Sequence, residues 1–436
     1  LSGSSITELR CTCGAVAASG QFSCSRRGTD DADHVLTLPP PAAWQVDDDP
    51  NPLIRYRRML TGWQIATAAG LSDDAYVRIV RELDDAVAAI DYGRRFKVSP
   101  VVDAPGIIDA HLTVKNETGN VSGSHKSRHL AGIMVHLLAQ EELGDELRGG
   151  EQTRAPLAIA SCGNAALGAA VVAAAARWPL QVFVPPDGDA LVLERLRALG
   201  ADVQLCERLP DAPAGDPCYH RFQSAVAAGA IPFGCQGPDN GFTIDAGRTL
   251  GWEIAEQVPD VTRVLLQVGG AALASSVAQG LASAAALGVI GRMPTIDTVQ
   301  VEACAPLARA YHATEKLGGI DAARQHRSQV MWPWEDVESS IAYGILDDET
   351  YDWARAVEAM FATDGTPMVI TDDWVQKAWS QAPEVTGLTP CTTGASGFAG
   401  LLAMNESGAI GVDEHVVVIF TGIDRDVEAT TVAAAS

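Results

Sequence analysis

The sequence predicts an α/β fold with mostly parallel sheets, and three observations carry that reading. Short runs of continuous apolar residues alternate with segments of helical period from residue 155 onward, and such runs belong to strands buried on both faces of a parallel sheet. Three of them end in turn-forming residues: LAIAS into CGN, VLLQV into GGAA and VVVIF into TG. Ligands of doubly wound sheets bind beyond those carboxyl ends. At 436 residues and 47% hydrophobic, the chain is long enough for two lobes or one large elaborated domain.

Taken in order, NPLIRYRRML (51–60) and SDDAYVRIVRELDDAVAAI (72–90) read as helical in whole or part. In NVSGSHKSRH (120–129) a helix approaches: Leu130, Ile133, Met134, Leu137 and Leu138 form an i, i+3, i+4, i+7, i+8 stripe. Gly123 supplies a turn and Ser124 an N-cap, so Lys126 falls at the helix start, where free N–H groups and the dipole disfavour a cation. Lys126 is therefore either a solvated surface residue or one whose neutral amine is wanted. LAIAS (157–161) reads as a strand followed by a helix at about 165–177, LQVFV (180–184) as a strand, and DALVLERLRALG as a helix closed by Gly200. DVQLC (202–206) is a strand, 207–220 a Pro/Asp-rich loop, 248–257 a helix, 264–268 a strand, 272–287 a helix and 297–303 a strand. After an irregular stretch at 330–350, 395–404 is a helix and 416–420 a strand. LAIASCGNAALGAAVVAAAA has the length of a membrane span, but it is mostly alanine and SCGN interrupts it with a turn; no membrane association is expected.

A net charge of −24 with no long basic run argues against nucleic-acid and anionic-membrane partners. Any anion site must then be built locally from backbone N–H groups and a few cations. The nine scattered cysteines do not suggest a disulfide framework in so large a chain, and LSGSSITELR lacks the apolar segment of a secretory signal. A cytoplasmic protein is expected. No Walker motif, GxGxxG, G-x-S-x-G or H-E-x-x-H occurs, which leaves P-loop nucleotide, hydrolase and zincin readings without support.

VLLQVGGAALASS (264–276) passes from a strand through Gly-Gly into a helix, a plausible phosphate cradle. Asn164, in SCGNAALG, opens a helix, where it would ordinarily serve as an N-cap. Four elements then follow in order: Lys126 before a helix, Ser-Cys-Gly-Asn after the next strand, the Gly-rich loop, and Thr421-Gly422 after the last strand. With this set the chain resembles the pyridoxal-phosphate enzymes of fold type II (the tryptophan-synthase-β fold), in the threonine synthase and serine/threonine dehydratase branch. VKNETGNVSGSHKSR is similar to the family's K-x-E…G-S-x-K-x-R segment at Lys115, Glu117, Gly123, Ser124, Lys126 and Arg128. SCGNAALGAA, VFVPPDGDALVLERLRALGADV, DAGRTLGWEIAEQ, VEACAPLARAY and VVVIFTGIDRD resemble further family segments in the right order.

The resemblance implies two lobes, a large one from 1–129 and 236–436 that holds pyridoxal 5′-phosphate and a small mobile one from 130–235. It also implies a homodimer and a small amino-acid substrate. Lys126 would form the Schiff base with the cofactor and serve as the base for the Cα proton. Gly269, Gly270, Ala271, Ala272 and Leu273 would cradle the phosphate, with His125 contacting it as in tryptophan synthase β. Asn164 would meet the ring hydroxyl and Thr421 the pyridine nitrogen. Ser161, Cys162 and Ser124 would bind the substrate, with Arg128 and Arg248 as cations for a phosphorylated one. The implied activity is that of a lyase eliminating or replacing a β or γ substituent, threonine-synthase-like. The alternatives are a hydroxyamino-acid dehydratase and, in another class, a non-catalytic protein binding the cofactor or an amino acid. Departures from the family pattern at His125, Ala271-Ala272 and PCTTGASG (390–397) leave the substrate open. Cys11, Cys13 and Cys24 resemble the zinc-ribbon-like start of some threonine synthases. With Arg26 near the place of a fourth cysteine, the segment is expected to be a metal-free remnant.

Overall fold

The computed structural model describes residues 8–18, 20–144, 154–208 and 215–428. Within them the strands are, in chain order, β1 (Glu8–Cys11), β2 (Val16–Ala18), β3 (Leu36–Thr37), β4 (Val101–Asp103), β5 (His111–Asn116), β6 (Leu157–Ala160), β7 (Leu180–Val184), β8 (Asp202–Leu205), β9 (Ile231–Pro232), β10 (Arg263–Gln267), β11 (Thr295–Val301), β12 (Pro367–Ile370) and β13 (His415–Phe420). A parallel sheet runs β8-β7-β6-β9. A second runs β12-β11-β10-β13-β5-β4, parallel except where β4 meets β5. β1, β2 and β3 make a small antiparallel sheet.

Local chemistry explains the elements. All six residues of β13 are buried, as continuous apolar runs require of a central strand. Ser72 caps the helix Asp73–Ile90 by accepting from the Ala75 N–H at 3.2 Å, with Asp73 and Asp74 complementing the dipole. Asp189 caps Ala190–Ala198, and Gly200, one past the cap Leu199, takes φ +81°. The run 157–176 divides into β6, a turn and the helix Asn164–Ala175. No helix among the described residues is long and apolar enough to cross a membrane.

Two helices that frame the larger sheet, Thr243–Gln257 and Ala272–Ala286, touch backbone to backbone. A Cβ on Gly251 would stand 2.5 Å from the Val277 carbonyl and 3.0 Å from the Gly280 Cα. The helix Lys126–Glu142 starts before residue 130 and packs on both Thr243–Gln257 and Asn164–Ala175, so it joins the two sheets' neighbourhoods.

Some expectations are corrected. Ser124 is no N-cap: its backbone is extended and bridges Gly422, drawn toward the chain after β13, and His125 occupies the cap position in the α region without a side-chain cap bond. β5 escaped the pattern because its sequence, HLTVKN, hides two fully buried polar residues, Thr113 and Lys115.

Candidate active site

The turns after β6, β10 and β13 converge, as the three strand ends suggested, on a cavity of about 400 Å³. Lys126, the first residue of its helix, lines that cavity with His125 beside it. The His125 N–H donates to the Thr421 carbonyl at 3.0 Å and the ring Nδ1 lies 3.2 Å from the same oxygen. That leaves Nε2 buried without a hydrogen-bond partner among the described residues. Burial first, and the charge of Lys126 second, hold the imidazole well below the ordinary histidine range, so it stands neutral.

The turn after β10 has the geometry of an anion cradle. Ala271 adopts φ +69°, ψ +8° as the N-cap of Ala272–Ala286, with no side chain capping the helix start. A left-handed alanine is strained by about 1 kcal/mol or more, and strain of this kind gathers at functional sites. The glycines before it are required by close approach: a Cβ on Gly269 would fall 2.1 Å from Asp347 Oδ2, and one on Gly270 3.0 Å from the Tyr351 ring. The Gly270 N–H donates to Asp347, whose carboxyl burial pushes up while Lys126 and this bond pull it down. One donor of the cradle thus already holds a carboxyl oxygen, and a raised pKa favours the neutral acid when a second anion arrives.

Thr421 follows β13. Gln267, the last residue of β10, brings Nε2 within 2.9 Å of Thr421 Oγ1, 3.0 Å of the Gly394 carbonyl and 3.2 Å of the Ile419 carbonyl. Surrounded by acceptors, that nitrogen must donate, so Thr421 accepts and keeps its own proton for the cavity. Asn164 is not the cap of its helix; Gly163 holds that position. Instead Asn164 Oδ1 accepts from Arg425, and its Nδ2 lies where a Cβ on Gly422 would come within 2.8 Å. The Arg425 bond fixes the amide so that Oδ1 is the acceptor and Nδ2 the donor.

Ser161 and Cys162 line the same cavity, the Ser161 hydroxyl lying 3.5 Å from the Gly163 N–H. The other three expected substrate contacts do not line it. Ser124 is fully buried, its hydroxyl without a hydrogen-bond partner among the described residues. Arg128, 2% exposed, donates from Nε and Nη2 to Glu117 at 2.7 and 2.8 Å and from Nη1 to Glu253 at 2.5 Å. Lys115 completes the buried quartet at 2.6 Å from Glu253. The reason is helical geometry: Arg128 comes two residues after Lys126, roughly 200° around the axis, and so points away from what Lys126 faces. Arg248 is likewise buried, bonded to Asp245, Thr61 and the Pro39 carbonyl.

Sequence reasoning missed Gln267, Asp347, Arg425 and Arg208. Arg208 is the single arginine among the described cavity residues, and it donates to the Gly215 carbonyl at 3.0 Å. Only Gln267 left a sequence signal, a polar residue in an apolar strand at the mouth of the Gly-Gly turn.

Comparison with known proteins agrees with this geometry. Residues 95–422 match the family model described as pyridoxal-phosphate dependent enzyme. The chain is 26% identical over 317 residues to the threonine synthase of Methanocaldococcus jannaschii and 27% identical over 317 residues to that of Methanosarcina acetivorans, in both cases covering 71% of this chain and 69% of the relative. Among solved structures, maize serine racemase superposes with a TM-score of 0.58 at 18% identity, over 82% of this chain and 97% of that one. The processed form of threonine deaminase isoform 2 from Solanum lycopersicum does so with a TM-score of 0.58 at 19% identity, over 92% and 94%. At these identities the structural likeness bears on the fold, which is that of the fold type II enzymes.

Proposed function

Because the chain belongs to the pyridoxal-phosphate-dependent enzyme family, we infer that it is a lyase that eliminates or replaces a β or γ substituent of a small amino acid, in the manner of the threonine synthases it is similar to. The observation that carries this reading is the meeting of Lys126, the uncapped helix start at Ala271–Leu273 and Thr421 around one cavity.

The residues present fit the cofactor. The helix-start N–H groups and the unpartnered His125 Nε2 suit its phosphate. Asn164 Nδ2 suits the ring hydroxyl, and Thr421, with its proton free, suits the pyridine nitrogen. When bound, pyridoxal phosphate supplies the electron sink that stabilises a carbanion at the substrate Cα. Lys126 anchors the cofactor and, once substrate arrives, its amine takes the Cα proton. Thr421 offers a neutral hydrogen bond rather than a charge, which suits elimination and replacement better than transamination. Ser161, Cys162 and the N–H groups opening Asn164–Ala175 receive the substrate carboxylate. The lobe carrying β6–β9 closes over the site and excludes water. The enzyme works in the cytoplasm, as a homodimer in keeping with its resemblance, and the nine unpaired cysteines suit a reducing compartment.

A second reading, dehydration of a hydroxyamino acid, is favoured by one observation. A phosphorylated substrate needs cations, yet Arg128 and Arg248 are spent on buried carboxylates, and Arg208 shares the cavity wall with Asp216, Asp347 and Asp348. Product analysis separates the two: threonine and phosphate, or a 2-oxo acid and ammonia. The test of the whole reading is the visible absorption of purified protein beside Lys126→Ala. A band of lysine-linked cofactor in the wild type, absent from the variant along with turnover, is expected. No band after addition of pyridoxal phosphate would overturn the reading in favour of a non-catalytic binding protein.

A further inference from the structure

The expectation of a metal-free amino-terminal segment rested on a missing fourth cysteine. The fold brings a histidine there instead. β1 pairs with β3 in the register Cys11↔Leu36, which carries His34, two residues before Leu36, back beside Cys11. The turn after β1, closed by the Gly14 N–H on the Cys11 carbonyl at 2.9 Å with Gly14 at φ +85°, presents Cys13. Cys24 enters from the loop that follows. The ligand atoms of Cys11, Cys13, Cys24 and His34 lie within 4.8 Å of one another, three of the four residues being buried.

We propose that Cys11, Cys13, Cys24 and His34 bind one zinc ion as a closed structural site. Zn–S bonds of about 2.3 Å and Zn–N bonds of about 2.0 Å at tetrahedral angles place ligand atoms about 3.6–3.8 Å apart. Cys13 Sγ and Cys24 Sγ are 3.9 Å apart, and Cys11 Sγ and His34 Nδ1 are 3.8 Å apart. The rest of the set needs to contract by about 1 Å at most. Thiolate softness and four protein ligands select zinc over harder cations.

The surroundings of His34 point the same way. Its Nε2 lies 2.8 Å from Asp30 Oδ1; the carboxylate takes the Nε2–H and leaves the Nδ1 lone pair for the metal, the outer-shell arrangement usual at zinc histidines. The Arg26 N–H meets Cys24 Sγ at 3.4 Å, a donor toward a thiolate. Metal entry releases the three thiol protons to solvent.

A metal here would clamp a segment that the rest of the chain leans on. Arg27 donates to Tyr219 at 2.8 Å and also to Asp239. The Gly241 N–H meets the Phe22 carbonyl at 2.8 Å, and the Asp33 N–H meets the Arg324 carbonyl at 2.7 Å. Tyr219 in turn packs on Tyr351 of the cavity wall, 5.4 Å between ring centroids.

The test is elemental analysis of the reduced full-length protein purified without chelators, followed by cobalt(II) substitution. About one zinc per chain and the ligand-field bands of a tetrahedral thiolate site are expected. Cys24→Ser and His34→Ala should lose the metal. His34→Cys should keep it with red-shifted cobalt bands, and Asp30→Ala should weaken zinc binding by about 10–100-fold. Substoichiometric zinc with no uptake of cobalt overturns the proposal. So does metal retained by both ligand-deleted variants, or a Cys13–Cys24 disulfide found by mass in its place.

Discussion

Replacing Arg128 with methionine removes four charge-assisted hydrogen bonds, two to Glu117 and two to Glu253, from a group of four fully buried charges that sums to zero with Lys115 present. Summing about 1.5–3 kcal/mol for each bond would give too large a figure, because the stranded carboxylates relax and take up protons. Breaking a buried pair by removing one partner costs about 3–5 kcal/mol, and that is the expected loss in Arg128→Met. The loss should depend on pH. Burial pushes Glu117 up, but the charge and hydrogen bonds of Arg128 outweigh it and hold the carboxyl below the usual range. A depressed carboxyl contributes stability above its unfolded pKa and loses it as pH falls through the folded value. Without Arg128, Glu117 loses its bonded cation and keeps the Asn120 amide as a donor. Burial then raises its carboxyl, so the deficit of the variant is greatest near neutrality and narrows as falling pH protonates that carboxyl, beginning above about pH 4.5. Urea midpoints across that range measure it, with Glu117→Gln/Arg128→Met closing a double-mutant cycle. A deficit under about 1 kcal/mol with a raised KM for the amino acid would refute the reasoning, since it would mean that Arg128 faces substrate.

Three further outcomes follow from the same geometry. Gly251→Ala should destabilise by about 1–3 kcal/mol and weaken cofactor binding, because the added Cβ meets the Val277 carbonyl at 2.5 Å and pushes on the helix that carries the cradle; an unchanged thermal midpoint would contradict this. His129, pulled down to about 4 by burial first and Lys126 second, is neutral in the fold. Its contribution is complete above about pH 6.5 and is lost as pH falls toward about 4, about 3 kcal/mol in all; His129→Gln should flatten the pH dependence of the urea midpoint in that window, and parallel curves would argue otherwise. Gln267→Leu releases Thr421 to turn its proton inward onto a carbonyl, so the bound-cofactor absorption should shift and kcat should fall while KM changes little; a normal spectrum would show that the glutamine does not orient Thr421.

The sequence by itself determined the alternation of strands and helices, because continuous apolar runs and helical periodicity are local signals. β7 spans 180–184, as the run LQVFV reads, and β6, β10 and β13 end at the turns that suggested them. It also determined the order of Lys126, Asn164, the Gly-Gly turn and Thr421, since each sits at a strand or helix terminus with its own turn chemistry. What only the tertiary structure decided is which way side chains face and what far residues meet them. Arg128 and Lys126 are two apart in sequence, yet a helix sends one to a buried carboxylate pair and the other to the cavity. His34 joins Cys11 through a strand register, and Gln267 reaches Thr421 across two neighbouring strands, 154 residues away. Those partnerships depend on sheet order and burial, which arise from packing the whole chain, and no local pattern encodes them.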